Sequence, residues 1–169
     1  MNKPGKYTVI YADPPWHYRV WSKKGAGRSA ESHYSTMSLE EIKALPVHLL
    51  AAKDCALFLW VTFPLLQEAW PLMDAWGFCY KSVAFVWVKL NRKAPTLFTG
   101  MGYWTRANAE ICLLATRGHP KRHNAGIHQV ILSHIEEHSK KPDEARSRAP
   151  GWDVWGNEAA DSIQGWPPC

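Results

Sequence analysis

Apolar residues in this chain gather into five short runs separated by polar, glycine-bearing and proline-bearing stretches. The first run, Tyr7-Thr8-Val9-Ile10-Tyr11-Ala12, has the β-branched and aromatic character of a strand. The second, Cys55 to Val61, is continuously apolar and of strand length, as in a strand buried on both faces of a parallel sheet. Tyr80 to Lys89, Ala109 to Thr116 and His128 to His134 read as three more strands. Two stretches follow a helical period instead. Ser38-Leu39-Glu40-Glu41 spells a capping box, and Leu39, Ile42 and Leu45 form a stripe that Pro46 ends. Leu65 to Trp76 reads as a second helix, interrupted by Pro71 and stopped by Gly77. Strands and helices in this order predict an α/β domain.

The first run stops abruptly in Asp13-Pro14-Pro15-Trp16. Neither proline can continue a strand, because each lacks an N–H and has its φ fixed. Asp13 precedes a proline and is therefore held extended. The pattern predicts a carboxylate on a stiff ledge at the C-terminal end of a strand, the edge where open α/β sheets bind ligands. Such a ledge suits a planar amine. Asp13 accepts one hydrogen bond from an exocyclic NH2, the Pro14 carbonyl accepts the other, and an aromatic ring stacks on the base. A plain strand followed by a Pro-Pro turn is the competing reading.

Composition narrows the class. A chain of 169 residues suits one domain with a substantial core. Its hydrophobic content of 46% and charged content of 21% exclude a disordered chain. Ten Trp is an unusual number; some belong to the core, and Trp is also a stacking surface for bases. The net charge of +5 suits a polyanionic partner. Cys55, Cys79, Cys112 and Cys169 show no CxxC spacing, and the first three read as reduced core residues. The eight His match no zinc spacing, so no metal is expected. No signal-like or membrane-length apolar stretch occurs, so no membrane association is expected.

The connecting segments carry further candidates. Residues 17–37 mix aromatics, bases and glycines, and read either as a flap closing over a ligand or as a solvated loop. Residues 91–106 interleave Arg92, Lys93 and Arg106 with Phe98, Tyr103 and Trp104, which reads as a second substrate loop or as ordinary loop polarity. Glu110 is expected to pair with a loop base such as Arg106. Arg117 to His123 reads as a basic turn facing nucleic-acid backbone. Lys140-Lys141-Pro142-Asp143-Glu144 reads as a helix opening or as an exposed charge run.

Taken in order, Asp13-Pro14-Pro15-Trp16, His33 to Met37, Phe58 to Thr62, Val86-Trp87-Val88-Lys89, Lys141-Pro142-Asp143-Glu144 and Gly156-Asn157-Glu158 make the chain resemble the MT-A70 family of adenine methyltransferases, from about Tyr7 to Glu158. The resemblance implies a Rossmann-like S-adenosylmethionine-dependent fold, circularly permuted, with a mostly parallel sheet. It implies one domain over 1–158 and a tail over 159–169. It implies methyl transfer from S-adenosyl-L-methionine to the N6 amine of adenine, in DNA by analogy with the phage and prophage branch, alternatively in RNA. Asp13, Pro14, Pro15 and Trp16 are then catalytic, and Tyr34, Trp87 and Lys89 contact the substrate. Asp13, Lys141, Arg146, Asn157 and Glu158 hold the methyl donor, with Lys141 on its carboxylate. A bacterial or phage-encoded cytoplasmic protein follows, with possible pairing to itself or to a related subunit.

The chain departs from that family after Glu144. Relatives continue with a helix and an apolar strand belonging to the cofactor site. Here Glu144 runs almost directly into Ala145-Arg146-Ser147-Arg148-Ala149-Pro150-Gly151-Trp152, with no apolar run of strand length. The C-terminal helix and the cofactor-binding strand are therefore expected to be deleted. A degenerate nucleic-acid-binding protein and a partner subunit of an active methylase are the rival readings.

Overall fold

The computed structural model describes residues 7–17, 36–102, 104–122, 124–137 and 140–149. Five strands form one sheet: β1 (Tyr7–Ala12), β2 (Ala51–Val61), β3 (Cys79–Leu90), β4 (Ala109–Arg117) and β5 (Val130–His134), in the order β1-β2-β4-β3-β5. Helices α1 (Leu39–Lys43), α2 (Val47–Leu50), α3 (Leu66–Ala75, after a 3-10 turn at Phe63–Leu65) and α4 (Asp143–Arg148) complete the described elements. The capping box is formed: the Ser38 side chain accepts from the Glu41 N–H and the Glu41 carboxylate accepts from the Ser38 N–H. Pro71 lies inside α3. Gly77 follows that helix in the left-handed conformation that glycine tolerates, with a positive φ.

The expectation of a mostly parallel sheet needs correcting. β1 runs parallel to β2 and β3 parallel to β5, but β4 is inserted between β2 and β3 and is antiparallel to both. A parallel neighbour needs a crossover, usually helical. Residues 91–108, which join β3 to β4, hold no helix among those described, so β4 folds back against β3. The N-terminal end of β4 thus lies beside the C-terminal ends of its neighbours, with Glu110 opposite Trp87 and Ile111 opposite Val61.

Side chains alternate across the sheet. Ile10, Ala12, Leu57, Leu59, Ile111 and Leu113 face one side, against Ile42 of α1, Val47 of α2, and Leu72, Met73 and Trp76 at α3. Phe58, Trp60, Phe85, Trp87, Cys112 and Ile131 face the other, where Ala145 and Ala149 of the α4 segment pack. β2 is covered on both faces, as its unbroken apolar run requires. Cys55 and Cys112 are buried, whereas Cys79, expected in the core, is exposed. Among the described residues no helix is long and apolar enough to cross a membrane.

Candidate active site

β1 ends where its sequence demands. The Trp16 N–H donates to the Pro14 carbonyl at 2.8 Å. This is an inverse γ-turn centred on Pro15, whose fixed φ suits it. The returning chain pins the ledge: the Met37 N–H donates to the Pro15 carbonyl at 2.8 Å, and the His17 N–H to the Met37 carbonyl at 3.2 Å. Trp16 is not an open stacking surface. It is only 8% exposed, packs in the core, and donates its indole N–H to the Trp60 carbonyl at 3.1 Å. Its described role is to anchor the ledge.

Asp13 stands on that ledge, two residues beyond Tyr11, and keeps 36% of its side chain exposed. It does not point into the core. Lys141 Nζ donates to Asp13 Oδ2 at 2.8 Å and lies 3.3 Å from Glu110 Oε2. Lys89 Nζ donates to Glu110 Oε1 at 2.5 Å. Two carboxylates and two ammonium groups, from β1, β4, β3 and the entrance of α4, therefore form one balanced cluster. Glu110 pairs with these lysines and not with Arg106 as the sequence suggested.

Aromatic rings floor the cluster. Tyr11 and Trp60 meet edge to face with ring centroids 6.4 Å apart. Trp60 and Trp87 meet in the same way at 6.5 Å. Both are arrangements that aromatic quadrupoles prefer. Lys141 Nζ sits 5.7 Å from the Trp60 ring centre. Lys89 Nζ sits 4.8 Å from that of Trp87. Each ammonium is thus within reach of a ring face. Trp87 is buried and donates its indole N–H to the Ser133 carbonyl at 3.4 Å. Trp87 and Lys89, expected at the substrate, thus belong first to the floor and its ion pair. The Arg146 guanidinium lies 5.6 Å from the Tyr11 ring centre, on the same side of the sheet. Tyr34, Asn157 and Glu158, and most of the expected flap over 17–37, lie outside the described residues.

Charge states follow from these neighbours. Burial disfavours the Lys141 ammonium, but Asp13 and Glu110 together hold its pKa above the ordinary range. Burial pushes Glu110 up, and Lys141 and Lys89 more than offset it, so its carboxyl titrates below the usual 4.5. Burial raises Asp13 above its usual 3.8 against the pull of Lys141, although its open side tempers that rise. Burial also raises the Tyr11 hydroxyl, which the nearby Trp60 N–H only partly offsets without forming a hydrogen bond to it.

A pH dependence follows. A depressed carboxyl stabilises the fold above its unfolded pKa and loses that contribution as pH falls through the folded one. At neutral pH, Glu110→Gln should cost about 1–3 kcal/mol, because it removes the carboxylate facing Lys89 and leaves Lys141 with Asp13 alone. Denaturant melts of both proteins should show that difference shrinking as pH falls below 4.5.

The cluster fits the amino-acid end of a methyl donor. That end carries a carboxylate, and Lys141 supplies a cation for it at an open edge. Among the described residues no group of three His, Cys, Asp or Glu could hold a metal ion. A shallow hollow of about 530 Å³ lined by Phe63, Pro64, Leu66, Gln67 and Trp70 includes none of the cluster residues.

Comparison with known proteins identifies the family. The model of the family described as MT-A70 matches residues 7–148. The Type II methyltransferase M.MunI of Mycoplasma sp is 32% identical over 93% of this chain and 79% of its own length. An N(6)-adenosine-methyltransferase MT-A70-like protein of Drosophila melanogaster is 35% identical over 85% of this chain. The N(6)-adenosine-methyltransferase catalytic subunit METTL3 of Homo sapiens is 33% identical over 83% of it. The chain spans 22% of the length of each of these last two relatives.

Proposed function

Because the chain belongs to the MT-A70 family, whose members take their methyl group from S-adenosylmethionine, we propose that it methylates the N6 amine of adenine in DNA. The observation that carries this reading is the Asp13 carboxylate, fixed on a pinned ledge at the sheet edge and within reach of Lys141. The preference for DNA rests on the match to a Type II methyltransferase over most of that protein's length, and on the net charge of +5.

Adenine in a duplex must leave the stack to reach such an edge. One amine hydrogen then faces Asp13. The other faces the Pro14 carbonyl, whose second lone pair is free of the Trp16 N–H. Both acceptors are fixed before the base arrives, so the nitrogen lone pair is aimed by positioning. When bound, S-adenosylmethionine would supply an electrophilic methyl to that nitrogen and leave as the neutral thioether, and the proton lost from the amine would pass to solvent at the open edge. Lys141 would hold the donor's carboxylate, and Arg146, Asn157 and Glu158 would take its ribose and adenine. Tyr34 would lie beside the base, as the family resemblance implies.

Two observations favour a weaker enzyme as the second reading. α4 has only six residues, and the chain aligns with M.MunI over 192 positions, more than its own 169 residues. Loss of the segment after Glu144 would then leave the adenine ledge intact and the donor's grip reduced. Calorimetry with S-adenosylmethionine, followed by labelled-methyl transfer to adenine-containing DNA, tests both. Micromolar binding with N6-methyladenine as product is expected. Absence of binding alongside tight, salt-sensitive DNA binding would leave a nucleic-acid-binding protein instead.

A further inference from the structure

Lys141 holds the very carboxylate that the adenine amine needs. Its side chain is 10% exposed and its ammonium lies between two acids, 2.8 Å from Asp13 and 3.3 Å from Glu110. We propose that Asp13 and Glu110 are alternative anchors for Lys141, and that Asp13 becomes available to adenine when the donor's carboxylate draws Lys141 aside. The inference rests on the reading of the site given above. It makes Glu110 a positioning residue and orders the binding, with donor before base.

The geometry makes such an exchange inexpensive. When Lys141 leaves Asp13 it keeps Glu110, so the cation is not stranded in the interior. Asp13, released, is exposed enough for water to solvate it until an amine arrives. Glu110 does not depend on Lys141, because Lys89 binds its other oxygen at 2.5 Å. Each charge therefore has a partner or water in both arrangements. While Lys141 stays on Oδ2, the carboxylate has less negative charge to offer an approaching N–H, and adenine gains little over a purine without the amine.

The test measures recognition of the amine in the full chain without catalysis. Two short single-stranded DNAs are compared, one carrying a single adenine and the other an unsubstituted purine at that position. Their dissociation constants are measured with and without saturating S-adenosylhomocysteine, which bears the carboxylate but no methyl. The adenine-to-purine preference should rise about tenfold when S-adenosylhomocysteine is present, within the usual range of coupling between sites. Reciprocally, adenine DNA should tighten S-adenosylhomocysteine by the same factor. In Lys141→Met the preference should be high without it. An unchanged preference in the wild-type protein despite bound S-adenosylhomocysteine overturns the gate and leaves the methyltransferase reading standing. Failure of S-adenosylhomocysteine to bind at all overturns both.

Discussion

Replacing Asp13 by alanine should cut adenine methylation about a hundred- to a thousandfold, the scale seen when one preorganised polar contact to a reacting group is removed. The fold should survive. Asp13 sits at the rim and makes one described ion pair, and Lys141 keeps Glu110 in its absence. Initial rates of labelled-methyl transfer, set beside thermal melts of the two proteins, give the comparison. A variant with normal rates would remove Asp13 from the reaction. The acid limb of the wild-type rate adds a second readout. Ionised Asp13 is the stronger acceptor and burial lifts its carboxyl above 3.8, so activity should fall with pH before an ordinary aspartate would protonate.

Trp16→Ala should have the largest effect on stability, about 3–5 kcal/mol, as for other buried aromatic truncations. The indole fills the core beneath the ledge and leaves the Trp60 carbonyl without this donor when removed. Trp16→Phe keeps much of the volume and loses only the hydrogen bond, so it should cost about 1–2 kcal/mol. Urea titrations distinguish this anchor from a stacking surface. A ring that merely stacked on the base would change substrate affinity and leave the unfolding midpoint where it was.

All five strands, α1 and α3 were legible in the chain, because continuous apolar runs and a capping box are local signals. Their ends shifted where pairing partners decided them: β2 starts at Ala51, opposite Tyr7, earlier than its apolar run implies. The four residues of α2 were missed. Pro46 reads as a stop for α1, yet it also stands at the N-cap of α2. The direction of β4 was open to inference, since no helical pattern joins it to β3.

The ledge was legible because proline dictates its own backbone. Glu110 was less so, although it is the sole acid in a mostly apolar strand and shares a face with Cys112, two positions on. Its partners were hidden, because nothing local says that residues 89 and 141 converge on it. Trp16 misled for a related reason: an indole beside a proline turn looks available, and only the packing shows that it turns inward.

The Asp13–Lys141 ion pair joins positions 128 residues apart. Ordering so long a loop costs chain entropy that distant contacts recover only once they form. A chain emerging from the ribosome can build β1 and β2 early, but it has no lysine to set on Asp13 until nearly all of its described length has been made. The ion pair is therefore among the last features to mature, and a polypeptide stalled before residue 141 would carry the Asp13 ledge without its Lys141 counter-charge.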